Sequence, residues 1–186
     1  TITPTILIAS PIFNNTNNSN TNLNVNFTAA DSGSGLFNFW YSNDTYLVNK
    51  SLGVIGTSFN ITNITWSSGK HNVTVWANDS AGNYNFASIS FTIDATIPSL
   101  NITFPASNNS NFTVNTVNVN YTASDTNLAS AWYSNDTGLV NKSLGDGGTF
   151  FNITNITWSD GRHNVTIYTN DTSGNLNYTS VSFTVD

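Results

Sequence analysis

His71-Asn72-Val73-Thr74-Val75-Trp76-Ala77-Asn78 alternates without a break, with His71, Val73, Val75 and Ala77 on one side and Asn72, Thr74, Trp76 and Asn78 on the other. Successive side chains of a β-strand point to opposite faces, so this stretch reads as a strand with one buried face. Asn22-Leu23-Asn24-Val25-Asn26-Phe27-Thr28 and Val117-Asn118-Val119-Asn120-Tyr121 repeat the pattern. Val, Ile, Thr and aromatic residues fill these runs, and Asp-Ser-Gly, Ser-Ser-Gly-Lys and Asp-Ser-Ala-Gly-Asn separate them with turn formers. The first half of the chain reads as about seven strands, near residues 5–9, 22–28, 36–42, 46–52, 58–66, 70–78 and 86–93, with no convincing helix. Turns at this spacing favour two sheets packed face to face.

The chain says this twice. Trp40-Tyr41-Ser42-Asn43-Asp44-Thr45 returns as Trp132 to Thr137, and Phe59 to Trp66 returns as Phe151 to Trp158. Phe91-Thr92-Ile93-Asp94 returns as Phe183-Thr184-Val185-Asp186, while Pro4 and Pro11 match Pro98 and Pro105. Two tandem modules follow, 1–94 and 95–186, each near the size of a small domain. Asp186 stands where a further copy would begin, so the sequence reads as an excerpt of a longer array or as a repeating subunit. Copying suits functions that add along a chain, such as reach, stiffness and repeated surface, better than it suits catalysis.

Composition narrows the class. Cys and Met are absent, as are Glu and Gln, and Lys plus Arg total 4. Charged residues are 8%, against roughly 25% in ordinary soluble domains. Their place is taken by 33 Asn, 27 Thr and 23 Ser, neutral amides and hydroxyls. Aromatic residues at 13% supply enough apolar mass for two small cores and argue against disorder. A net charge of −6 with so few basic side chains lacks the electrostatic footprint of a nucleic-acid binder. No apolar run approaches 20 residues, so this segment offers no membrane span. Without Cys there are neither disulfides nor thiolate metal sites.

Pro-x-Ile-x-Ile-x-x-Pro, a Trp strand, Gly-Lys/Arg-His-Asn-Val-Thr, Asn-Asp-x-x-Gly-Asn and Phe-Thr-Val-Asp together resemble prokaryotic immunoglobulin-like repeats, especially those of archaeal cell-surface and pilus-like proteins. The resemblance covers nearly the whole chain. It implies an all-β protein of two tandem immunoglobulin-like β-sandwiches, at the cell surface or outside the cell. It also implies that Trp40 and Trp132 are the core tryptophans of the third strand. His71 and His163 fall where that fold often carries a corner tyrosine.

The tripeptide Asn-x-Ser/Thr is the second strong signal. It occurs at Asn14, Asn17, Asn26, Asn43, Asn49, Asn60, Asn63, Asn72 and Asn78 in the first module. In the second it occurs at Asn101, Asn108, Asn111, Asn120, Asn135, Asn141, Asn152, Asn155, Asn164, Asn170 and Asn177. These 20 acceptors exceed the roughly nine that random placement would give. Outward strand positions filled with Asn and Thr produce some of them automatically, but Asn43, Asn49, Asn78 and their copies lie in or near turns. The expectation is heavy N-glycosylation. No acidic residue stands two places before any of these Asn, which suits the simple archaeal or eukaryotic acceptor.

Other chemistry is thinner. Asp31, Asp44, Asp79 and Asp94, with their copies, are candidates for calcium loops, but Glu is absent and Asp79 reads more simply as a turn former. No cofactor is assigned, calcium being the one candidate. The only histidines lie one per module, which suits packing rather than ligation or base catalysis. Lys50 and Lys142 could join an isopeptide bond only if buried, and read as surface lysines. Trp76 and Tyr168 face the Asn-rich side and could stack on sugars or on a neighbouring module. The expected function is structural: a glycosylated segment of an extracellular filament, stalk or surface layer, associating with further copies of itself. An adhesin binding a receptor or glycan is the alternative, and an enzyme is not expected. Pro4 and Pro11 flank Thr5-Ile6-Leu7-Ile8 as at an edge strand, leaving strand exchange open at this end.

Overall fold

The computed structural model describes residues 2–44, 50–53, 56–136, 142–145, 150–154 and 156–186. Contacts divide the chain into two compact units, Thr1–Ala95 and Thr96–Asp186. Every regular element among the described residues is a strand.

Unit 1 contains β1 (Thr5–Ser10), β2 (Thr16–Asn18), β3 (Val25–Ala30), β4 (Leu36–Asn43), β5 (Lys50–Gly53), β6 (Ser58–Ile61), β7 (Gly69–Asp79) and β8 (Tyr84–Ile93). One sheet has the order β1-β3-β6 and the other β2-β8-β7-β4-β5. Alternate residues of β3, β7 and β8 meet between the sheets: Val25, Phe27, Val73, Val75, Phe91 and Ile93 are buried. Phe39 and Phe59 close the centre, their ring centroids 4.0 Å apart.

Unit 2 repeats the plan with β9 (Ser99–Phe104), β10 (Ser110–Phe112), β11 (Val119–Ser124), β12 (Leu128–Asn135), β13 (Lys142–Gly145), β14 (Phe150–Ile153), β15 (Gly161–Asp171) and β16 (Leu176–Val185). Its sheets run β14-β11-β9 and β10-β16-β15-β12-β13. Val119, Tyr121, Val165, Ile167 and Phe183 carry its core.

Among the described residues each unit thus shows eight strands rather than the expected seven. The additional one, β2 or β10, is three residues long and pairs parallel with the last strand of its unit. Thr16-Asn17-Asn18 has no apolar residue, so no periodicity announces it. The strand expected at 46–52 is seen as β5 from Lys50, and 45–49 lie outside the described residues. β6 ends at Ile61, five residues before Trp66. β1 pairs antiparallel with β3 of its own unit, and Ile6 and Ile8 pack against that unit's core while Leu7 is exposed.

The expectation for Trp40 and Trp132 is corrected. Phe39 and Tyr41 face inward from β4, as Ala131 and Tyr133 do from β12, so each Trp lies half-buried on the other face. The β4–β7 register shifts between Leu36 and Asn38, which fixes the phase of the strand downstream. The buried tryptophans are Trp66 and Trp158, 3% and 4% exposed, in the segments after β6 and β14. Their indole N–H groups donate to the Leu23 carbonyl at 2.8 Å and the Val117 carbonyl at 2.9 Å.

Candidate functional site

The sequon asparagines fall into distinct settings. Asn14, Asn17, Asn60, Asn63, Asn101, Asn108, Asn111, Asn152 and Asn164 are exposed. Asn26, Asn43, Asn72, Asn78, Asn120, Asn135, Asn170 and Asn177 are half-buried, and Asn49, Asn141 and Asn155 lie outside the described residues. Asn26 and Asn120, on the middle strand of the smaller sheets, have carbonyl oxygens shielded from solvent without a donor. The Asn177 amide nitrogen donates to the Pro98 carbonyl at 2.8 Å, as that of Asn85 does to Pro4 at 2.9 Å. These two amides tie the last strand to the chain just before the first strand, so a sugar on Asn177 would leave a single N–H to keep that bond. The equivalent tripeptide at Asn85 has Ala87 in place of the hydroxyl residue and is not an acceptor.

An aromatic row crosses the outer face of each larger sheet. In unit 1, Trp40 of β4 is in register with Trp76 of β7, which is in register with Phe86 of β8. The Trp40 and Trp76 rings are parallel to within 5°, with centroids 6.3 Å apart. In unit 2 the row is Trp132, Tyr168 and Tyr178, with centroid separations of 5.6 and 6.0 Å. Trp40, Trp76, Asn78, Gly82 and Tyr84 line a cleft of about 330 Å³, at the lower end of ligand-site volumes.

Two built-in devices hold the loops at the ends of this sheet. His71 is buried against Trp66 and Phe91, its Nε2 donates to the Ser67 carbonyl at 2.7 Å, and its Nδ1 lies 2.8 Å from Asp44. Asp44 also accepts the Asn72 backbone N–H at 2.9 Å. His163, Ser159, Asp136 and Asn164 repeat the arrangement in unit 2. The histidine therefore makes the corner bond to upstream backbone that a tyrosine makes in related folds. Its partnership with Asp44 spans 27 residues, and no local signal reveals it.

At the other end, Asp79 and Asp171 are buried turn anchors. Asp79 Oδ1 accepts the backbone N–H groups of Ala81 and Asn83, and Oδ2 accepts the Asn83 amide at 2.7 Å. Gly82 in this turn has φ +86°, a conformation glycine adopts without strain. The Asn83 side-chain hydrogen bond outweighs desolvation and, with backbone bonds to Asn83 and Ala81 and the Ser34 hydroxyl, holds the Asp79 carboxyl below the usual carboxylate value. A depressed native pKa gives stability that is complete above the unfolded value and lost as pH falls through the native one. Thermal scans of the full chain should therefore show the unit 1 transition falling as pH drops below about 4. In Asp79→Asn that acid slope should shrink, and an unchanged slope would show that other groups set it.

Of the remaining carboxylate candidates, Asp31 and Asp125 also have internal partners. Asp31 accepts the Gly33 and Gly35 N–H groups, and Asp125 accepts that of Asn127. The backbone N–H groups of Asp94 and Asp186 donate to the Asn18 and Phe112 carbonyls. Lys50 and Lys142 are exposed, the opposite of the burial that an isopeptide bond requires. Among the described residues no helix is long and apolar enough to cross a membrane.

No protein-family model and no curated protein sequence matches the chain. Solved structures do. Fibronectin(III)-like modules of CbhA from Clostridium thermocellum superpose with a TM-score of 0.57 at 17% identity, over 98% of this chain and 94% of that one. A segment of titin superposes with a TM-score of 0.58 at 8% identity, over 97% of this chain and 64% of that one. Likeness at these identities establishes the fold: the protein is a tandem pair of sandwiches of the immunoglobulin and fibronectin-III-like class.

Proposed function

We propose that the chain is a structural, N-glycosylated segment of an extracellular filament, stalk or surface layer, of prokaryotic and specifically archaeal type. The observation that carries this reading is the coincidence of two copied sandwiches with exposed acceptor asparagines on both. Asn60 and Asn152 occupy equivalent exposed places on the edge strands β6 and β14, and Asn14 and Asn108 equivalent exposed loops. Glycans there would solvate a surface that has almost no charge and would shield sheet edges otherwise open to pairing. Further copies of the same repeat are the natural partner. Since Ile6 and Ile8 are docked in their own unit, association by the first strand would begin from its free edge rather than from exchange. Removing residues 1–10 from native fibres tests that point. No cofactor is part of this reading, and a calcium ion would have to compete with the backbone for the Asp31, Asp79 and Asp125 carboxylates.

Adhesion is the second reading, favoured by the Trp40–Trp76 cleft. Against it, the one loop that differs in length between copies, 31–36, is closed by its own Asp31. Electron microscopy of native material separates the two: long fibres or ordered layers are expected, and isolated particles that bind a receptor would overturn the structural reading.

A further inference from the structure

The sheet's outer face carries a feature that glycosylation in general does not explain, and the following rests on the glycosylated reading above. We infer that the aromatic row of unit 1 is a seat for the first sugars of a glycan attached to Asn78, with a smaller version beside Asn170. The acceptor and the row belong to one face of one strand. In Trp76-Ala77-Asn78-Asp79-Ser80 the ring stands two residues before the acceptor, and Tyr168-Thr169-Asn170-Asp171-Thr172 repeats this with both the ring and the hydroxyl residue changed. Residues two apart on a strand share a face at a spacing of about 6.6 Å, roughly the width of one sugar ring. A pyranose linked to Asn78 therefore lies over or beside Trp76.

The surroundings suit a sugar. Asn78 is itself a wall of the cleft formed with Trp40, Trp76, Gly82 and Tyr84. Tyr84 is in register with Asn78 across the β7–β8 pair and is 65% exposed. The space beside Gly82 is open, since a Cβ added there would meet nothing within 4 Å. The lining holds rings, an amide and a phenol but no charge, which matches the apolar C–H face and neutral hydroxyls of a pyranose. Exposed aromatic surface gathered in one row on a soluble domain marks a contact. Here the covalent acceptor is already inside the contact, so the tethered glycan has an effective concentration no free partner matches. The fold does not commit the Asn78 amide elsewhere: its carbonyl oxygen has no donor, whereas the Asn85 and Asn177 amides are used structurally. Unit 2 places Leu176 opposite Asn170 where unit 1 has Tyr84, so its seat lacks one ring, and the Asn170 carbonyl oxygen is already engaged, accepting the Ser130 hydroxyl at 2.6 Å.

The test uses the full chain made in an N-glycosylating host, with variants Asn78→Gln, Trp76→Thr and Trp40→Thr. Glycopeptide mapping should find Asn78 occupied, and NMR should find ring-current shifts of the Asn78-linked sugar protons that disappear in Trp76→Thr. The unit 1 transition should lie roughly 4–8 °C higher with the Asn78 glycan than in Asn78→Gln. That gain should vanish in Trp76→Thr and shrink in Trp40→Thr, a pair that guards against one variant misfolding. An occupied Asn78 with unshifted sugar protons, or an equal gain without Trp76, overturns the inference. So does a bare Asn78 beside other occupied sequons. A chain with no occupied sequon at all would instead overturn the glycosylated reading on which this one rests.

Discussion

Trp158→Ala should unfold unit 2 at far lower denaturant than the parent chain, at a cost of about 3–5 kcal/mol. The indole is 4% exposed, meets Phe183 edge-on at a centroid distance of 5.0 Å and lies against the His163 ring at 4.9 Å. Truncation leaves a cavity among those groups and strips the Val117 carbonyl of its donor. Small domains hold only about 5–15 kcal/mol in total, so this loss would leave unit 2 marginal. Trp132→Ala is the matched control. That ring is half-buried and stacked on Tyr168, and its removal should cost about 0.5–1.5 kcal/mol. Denaturation curves of the two variants decide the register of β12. Equal losses would return Trp132 to the core.

The second large effect belongs to His163. Its two ring nitrogens face only acceptors, Asp136 Oδ2 at 2.9 Å and the Ser159 carbonyl at 2.7 Å. Both are satisfied at once only by the doubly protonated ring. Burial opposes that charge, but the Asp136 hydrogen bond, the Ser159 carbonyl and the Asp136 charge together raise the pKa above the ordinary histidine value. A raised native pKa gives stability that is complete below the unfolded value, about 6.5, and lost as pH rises through the native one. The unit 2 transition should thus be higher at about pH 5.5 than at about pH 8. His163→Phe keeps a ring in place but removes both bonds, at about 2–3 kcal/mol for the pair, and should abolish that pH difference. A Phe variant with parental stability and an unchanged pH profile would mean that the corner bonds do not hold the turn.

Much of this molecule was legible because its physics is local. The alternation from His71 to Asn78 named its strand, its buried face and its outward Trp76, all as found. The 92-residue echo from Trp40 to Trp132 announced the second sandwich. What escaped lacks local signature. Thr16-Asn17-Asn18 is a strand only because β8 lies beside it, and Asp44 meets His71 only once β4 and β7 have paired. The Trp40 error came from resemblance overriding pattern, since Asn38 already marked its face as the polar one. Trp66 stands at the end of the strand expected over 58–66, where alternation puts it on the face opposite Phe59 and Ile61; β6 instead ends at Ile61, and Trp66 is buried in the segment beyond it. The candidate site divides the same way. Sequence supplies every acceptor asparagine, and alternation alone turns Asn164 outward, but only structure shows that Asn60 is open while Asn177 is tied to Pro98.

Glycopeptide mass spectrometry on material from the natural host tests the central claim most directly. The account predicts that peptides carrying Asn60, Asn101, Asn152 and Asn164 bear glycans and that the 186-residue segment weighs well above its bare 20.1 kDa. Unmodified asparagine at all of these exposed positions would contradict it.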